Sequence, residues 1–159
     1  MRGMEDEFRD VFVARAPALR RTAFLLCGDW HQAEDLVQTA FAKLYASWRR
    51  AERPEAYVHR VLVRAFVDET RRPWRRERSY ADLPETPVSD AVDDREVLRA
   101  ALRQVPPRQR ACLVLRYFED LSVTETARVL GCTEGNVKSQ TSRGLDALRV
   151  LVPDREALL

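Results

Sequence analysis

Asn136, Lys138, Ser139, Ser142 and Arg143 are the side chains in this sequence whose types and spacing suit a definite chemistry. At about 100° per residue, Asn136, Ser139, Ser142, Arg143 and Asp146 share one side of a helix, with Lys138 and Arg149 flanking it. Val137, Thr141, Gly144, Leu145 and Leu148 fall on the other side as a core face. An ordinary solvated face would carry a Glu/Lys mixture. Short polar groups instead let a helix approach base edges, and an arginine can pair with guanine in bidentate fashion. The chemistry implied is hydrogen bonding to DNA in the major groove. A helical hairpin with a polar surface is the plainer alternative.

Other chemistries find little support. His31 and Glu34 are three apart and Cys27 is near, but His59 is the only further histidine, so a metal site lacks ligands. No nucleophile, base pair or phosphate loop assembles, which argues against an enzyme and against any cofactor. The odd, widely spaced cysteines Cys27, Cys112 and Cys132 do not suit a disulfide framework and fit a reducing cytoplasm. The sequence shows no signal peptide and no apolar run of membrane length, so membrane insertion is not expected.

The elements that position the polar face follow from local signals. Ser122 and Glu125 form a capping box, and Val123, Ala127 and Leu130 mark an apolar face. Gly131 stands where a left-handed helix stop is expected, and Thr133 can cap a second helix running to about Val150. This is a helix-turn-helix pattern. Upstream, Asp94 opens a helix carrying Val97, Leu98, Ala101 and Leu102. Pro107 begins another that reaches about Phe118, with Ala111, Leu113, Val114, Leu115 and Tyr117 as its apolar centre.

The N-terminal part reads as helices over 5–15 and 17–27, with Pro17 in the first turn of the second. Asp29 is a candidate cap for a helix from Trp30 to about Arg50. On it, Trp30, Val37, Phe41, Leu44 and Trp48 share one face. Asp35, Thr39, Ala42 and Ala46 lie opposite, with Gln38 and His31 at the edge. That second face carries few charges. Either another helix packs there from a partner, or this helix is buried on two sides within its own lobe. From Pro54 to about Arg72 a further helix packs through Val58, Val61, Leu62, Ala65 and Phe66. Arg60, Arg64 and Arg71 line its other side with Val67 between them, a phosphate-binding stripe or a solvated basic face.

The net charge of +2 conceals a pattern. Residues 1–75 carry 14 basic and 11 acidic side chains, residues 76–98 carry 3 and 7, and residues 99–159 carry 10 and 7. Two basic lobes flanking an acidic middle favour polyanion contact at both ends. The acidic stretch from Glu77 to Asp94 is non-periodic and reads as a tether. The fold class expected is all-α, in two small helical domains: 5–76, a linker over 77–93, and 94–152.

At this point the chain resembles a known family. The stretch from Asp120 to Leu148, DLSVTETARVLGCTEGNVKSQTSRGLDAL, is similar to region 4 of bacterial sigma factors. Val105 to Arg110 and Leu115 to Ser122 match the segments that precede that region. "AEDLVQ" (Ala33 to Gln38) and "YVHRVLV" (Tyr57 to Val63) resemble region 2. The most similar group is the short extracytoplasmic-function (ECF) sigma factors, in particular the actinobacterial SigE type, and the likeness covers nearly the whole chain.

The resemblance implies a subunit that binds core RNA polymerase and directs promoter-specific initiation. Region 2 would dock on the β′ clamp helices through Asp35, Gln38 and Thr39, and region 4 on the β flap. Arg60, Arg64 and Arg71 would hold the minus-10 element. Asn136, Ser139, Ser142 and Arg143 would face minus-35 bases, with Lys138 on phosphate. An anti-sigma factor is a further partner that many relatives have. The sequence departs from the pattern at Thr39, where many relatives have Glu, at Arg64, where most have Asn, at Asn136, where Thr is usual, and at Gly144, where Ala is frequent. A freestanding operator-binding regulator and an inhibitory decoy without promoter opening are the rival readings.

Overall fold

The computed structural model describes residues 3–70 and 94–152. Arg71, the expected linker and residues 153–159 lie outside the described residues. Every regular element among the described residues is helical: α1 (Met4–Cys27), α2 (Trp30–Ala46), α3 (Pro54–Thr70), α4 (Asp94–Gln104), α5 (Pro107–Leu113), a π-helical turn (Val114–Phe118), α6 (Val123–Leu130) and α7 (Glu134–Leu151).

The helix ends are where local chemistry puts them. Asp29 caps α2 by accepting from the His31 amide at 2.8 Å. Gly28 ends α1 in the left-handed conformation, φ 73°, which costs glycine nothing. One expectation fails at the start of the chain. The two helices expected over 5–15 and 17–27 are a single helix with Pro17 inside it. Proline removes the amide that would bond the Val13 carbonyl, at a cost of about 3 kcal/mol. Val13 is 67% exposed, so water can take that carbonyl. The buried stripe Ala16, Leu19, Ala23 and Leu26 holds the helix continuous across the proline.

Helices α1, α2 and α3 pack on one another through Val37, Phe41, Leu44, Val58, Leu62 and Phe66, all buried. Phe8 and Phe12 close the open end with edge-on contacts to Phe41, at ring separations of 6.2 and 4.8 Å. Trp30, expected on the core face, is instead 54% exposed. It occupies the first position of α2 and lies flat on Phe24, with ring centres 4.0 Å apart.

In the second half α5 packs on α7, with Gly144 buried between them. A methyl added to Gly144 would fall 2.9 Å from Leu113 Cδ1, so the glycine is there for close approach of two helices. The helix expected from Pro107 to Phe118 changes character at Val114, where the Glu119 amide reaches back five residues to the Val114 carbonyl at 3.1 Å. The extra residue in that turn rotates the side chains after it out of the α-helical register. Tyr117, expected in the apolar centre, is therefore 53% exposed.

The two halves share a core. Ala111, Cys112, Val114, Leu115, Ala127, Leu130 and Val137 belong to the same buried cluster as the interior of α1–α3. Val63 and Val67, on the arginine side of α3, are buried in that cluster as well. Val67 was expected on an open stripe; the second half of the chain covers it.

Candidate nucleic-acid interface

Helices α6 and α7 form the helix-turn-helix. Ser122 Oγ accepts from the Glu125 amide at 3.0 Å and the Glu125 carboxylate accepts from the Ser122 amide at 3.1 Å, so both halves of the capping box are made. These bonds hold the Glu125 carboxyl below the usual carboxylate range. Gly131 turns the chain at φ 68°, with its amide on the Ala127 carbonyl at 2.8 Å. Thr133 Oγ1 then accepts from the Asn136 amide at 3.0 Å to start α7. The Thr124 hydroxyl bonds the Glu134 carboxylate, tying the first turn of α6 to that of α7.

On α7, Val137, Thr141 and Gly144 are buried, and Thr141 returns its hydroxyl to the Val137 carbonyl at 2.7 Å. Lys138, Ser139, Ser142 and Arg143 are exposed, and Asn136 is half-buried. The predicted division of this helix holds for Val137, Thr141 and Gly144 against Lys138, Ser139, Ser142 and Arg143, while Leu145 and Leu148 of the expected core side are, like Asn136, half-buried. Arg149 pairs with Asp146 at 3.0 Å, which leaves Arg143 as the arginine at the centre of the open side.

The α3 stripe divides differently. Arg60 is exposed and lies over the Tyr57 ring at 5.7 Å. Arg64 also reaches the surface, but its Nε donates to the Val129 carbonyl at 2.9 Å and its Nη2 to the Arg128 carbonyl at 3.0 Å. Both carbonyls belong to the last turn of α6, where the helix dipole is negative and unpaired carbonyls gain from a cation. Arg64 thus caps the helix-turn-helix from the other half of the chain.

On α2, Asp35, Gln38, Thr39, Ala42 and Ala46 are all exposed. The sparsely charged face is open, and the alternative of burial on two sides within the lobe is set aside.

Four residues that the sequence reading did not single out hold the two halves together. Arg110 is buried, 9% exposed, and donates from Nη1 to the Leu26 carbonyl at 2.6 Å and from Nη2 to the Arg103 and Val105 carbonyls at 2.7 and 2.9 Å. Burial lowers its pKa to about 10, so it is a cation at neutral pH. Glu119, carried out by the π-helical turn, accepts from Thr22 Oγ1 of α1 at 2.5 Å and pairs with His59 Nε2 of α3 at 2.6 Å. The signals in the sequence were small. Arg110 opens an unbroken apolar run, Ala111 to Leu115, and Val63 and Val67 stand four apart on a face otherwise read as basic.

Burial alone would raise the Glu119 carboxyl, but the His59 and Thr22 bonds outweigh it and hold its pKa below the ordinary value. A depressed carboxyl stabilises the folded chain above its unfolded pKa of about 4.3, and that contribution is lost as pH falls through the folded value. We expect Glu119→Gln to flatten the stability of the chain between about pH 5 and pH 3, read as urea midpoints by circular dichroism. A profile as steep as the parent's would assign the acid lability to other carboxylates.

Comparison with known proteins agrees with this arrangement. Residues 11–76 match the model of sigma-70 region 2, and residues 95–148 that of sigma-70 region 4. The RNA polymerase sigma-E factor of Streptomyces coelicolor is 38% identical over 154 residues, covering 90% of this chain and 84% of that protein. The sigma-E factor of Streptomyces antibioticus is 36% identical, with 94% and 87% covered. A solved structure of the sigma factor RpoE in complex with the anti-sigma factor NepR from Bartonella quintana superposes with a TM-score of 0.72 at 24% identity, over 94% of this chain and 98% of that one, and so supports the fold. The chain belongs to the sigma-70 family of RNA polymerase sigma factors, in the ECF group. Its function is promoter-directed transcription initiation with core RNA polymerase. Sigma factors are initiation factors and not enzymes, and no described helix is long and apolar enough to cross a membrane.

Proposed function

We propose that promoter reading is divided between two domains, 5–76 and 94–152, joined by an acidic linker over 77–93, acting in the cytoplasm. The first domain docks on the β′ clamp helices through Asp35, Gln38 and Thr39. Arg60, Arg64 and Arg71 then hold the minus-10 DNA while the strands separate. The second domain docks on the β flap and lays α7 in the major groove at minus-35, with Asn136, Ser139, Ser142 and Arg143 toward the bases and Lys138 on a phosphate. An anti-sigma factor is a natural further partner, since one accompanies RpoE in the structure that superposes on this chain.

The observation that carries this reading is the open side of α7, where Ser139, Ser142 and Arg143 are exposed while Val137, Thr141 and Gly144 fix the helix from behind. Run-off transcription from a pool of random upstream sequences, with this chain and sigma-free actinobacterial core polymerase, tests it. Initiation from a shared two-element promoter is the expected result. A stable complex with core that never initiates would favour the inhibitory decoy, and no complex at all the operator-binding regulator.

Within that assay, Arg143→Ala is expected to cost about 1–3 kcal/mol at a single minus-35 base pair and to relax the preference there. Arg143 is exposed, so folding is not expected to suffer. Equal loss on selected and scrambled promoters would make Arg143 a phosphate contact instead.

A further inference from the structure

We propose that the cleft where α3, α5 and the turn between α6 and α7 meet binds a small phosphorylated anion, held between Arg64 and Arg108. The site stands on the geometry of the cleft and does not depend on the role of Arg64 at the minus-10 element.

The cleft is lined by Arg64, Val67, Asp68, Arg108, Leu130 and Gly131. Arg64 is steadied by the Arg128 and Val129 carbonyls, which engage its Nη2 and Nε and leave Nη1 for another acceptor. Arg108 enters from the first turn of α5 and is half-buried. Gly131 brings no side chain into the cleft. A Cβ added there would fall 3.1 Å from Arg64 Nη2, so the turn lies directly beside the guanidinium. Val67 and Leu130 are buried and give the cleft fixed apolar walls.

The charges in this cleft do not balance. Two guanidinium groups line it against one carboxylate. That carboxylate, Asp68, is exposed, and among the described residues it forms no ion pair with either arginine. Drawing Arg108 partly out of water without an opposite charge is unfavourable, and a second cation in the same cleft adds repulsion. An anion between the two relieves both. Each guanidinium presents a planar fork that pairs two oxygens at once. A carboxylate has oxygens for one fork, whereas a phosphate can serve two. The volume then limits the size. The cleft holds about 220 Å³, the share of about seven waters. Sites that enclose a drug-sized ligand hold about 300–1,000 Å³. One or two phosphoryl groups fit, and the cleft opens to solvent, so a larger remainder can project outward.

The test titrates the full chain with pyrophosphate by calorimetry, with sodium chloride keeping the ionic strength constant. Saturable binding is expected, half complete at about 1 mM or below. Arg108→Ala is expected to raise that concentration about tenfold or more, with Arg108→Lys between, because an ammonium lacks the fork. Asp68→Asn is expected to tighten binding about twofold, since it removes the like charge. Neither Arg108 nor Asp68 is assigned to DNA or polymerase. Circular dichroism checks each variant. If Arg108→Ala loses helical signal, Arg108→Gln takes its place. Nitrogen–proton correlation spectra place the ligand: the Gly131 amide and the Nε–H groups of Arg64 and Arg108 should shift, and the Ser139 and Ser142 amides should not. Heat that never saturates, or an Arg108 variant that binds as the parent does, overturns the site. Shifts confined to α7 overturn it by placing the anion on the polar side of that helix. Shifts at Arg108 given by duplex DNA and not by pyrophosphate assign the cleft to the DNA backbone and overturn the small-ligand site.

Discussion

Arg110→Met is expected to destabilise the chain by about 3 kcal/mol, the largest loss expected from any single polar side chain between the two halves. Methionine retains the stem and much of the contact with the Phe66 ring, over which the guanidinium lies at 5.7 Å. It removes a donor from three backbone carbonyls, those of Leu26, Arg103 and Val105. Side chains can be exchanged together with their partners, but these partners are main chain and stay where they are. An abandoned buried carbonyl costs about 1–3 kcal/mol, so even the low end for three reaches about 3. Relief of the burial penalty on the cation, which lowers its pKa to about 10, offsets part of a larger figure. For a chain of this size the change corresponds to a fall of about 10 °C in the thermal midpoint. Arg110→Lys should fall between, because an ammonium is a point donor and cannot fork to three carbonyls. A shift below about 1 kcal/mol for Arg110→Met would mean that water reaches the carbonyls and that the halves are less tightly joined than the geometry implies.

Arg110 also marks the boundary of what the sequence could reveal. Signals that act within a few residues were legible. Asp29, Ser122, Gly131 and Thr133 cap the helices as their types demand, because the bonds involved span two to four positions. The division of α7 into Val137, Thr141 and Gly144 against Ser139, Ser142 and Arg143 was legible for the same reason, since helical period alone decides it. The likeness to region 2 and region 4 supplied the rest of the architecture. What escaped was everything that depends on a partner far away in sequence. Pro17 breaks a helix in isolation, yet a buried stripe on both sides of it holds α1 straight through. A π-helical turn has no simple sequence signature, and it alone exposes Tyr117 and sends Glu119 toward α1 and α3. Arg64, Arg103 and Arg110 resemble any other arginine of a basic lobe, because their partners are carbonyl groups and glycines, which carry no charge pattern to match. Val67 was the plainest of the small hints: an apolar residue among arginines is out of place on a face meant for phosphate alone, and it is buried.

Asp35→Arg is expected to lower affinity for core polymerase by about 30-fold or more while leaving the fold intact. The argument begins with the division of α2. Ala33, Leu36, Val37, Ala40, Phe41 and Leu44 are buried, so the helix is fixed from one side. Asp35, Gln38, Thr39, Ala42 and Ala46 on the other side are exposed. A solvated helix face costs nothing by carrying charge, and this one carries little, which is the composition of a surface that becomes dry on binding. On the proposed docking, reversing Asp35 would remove a charge-assisted contact and force a long cation into the interface, a loss of about 2–5 kcal/mol in comparable interfaces. Exposed substitutions elsewhere move stability by no more than about 0.5 kcal/mol, so the urea midpoint should not change. Fluorescence anisotropy with labelled chain and core polymerase gives the affinity, and Ala42→Arg serves as a second probe of the same face by bulk alone. Thr39→Glu, which restores the acid found in many relatives, should tighten binding modestly. If Asp35→Arg and Ala42→Arg both bind core as the parent does, α2 is not the docking helix, and the search moves to the exposed residues of α3 and α7 that the closed packing leaves free.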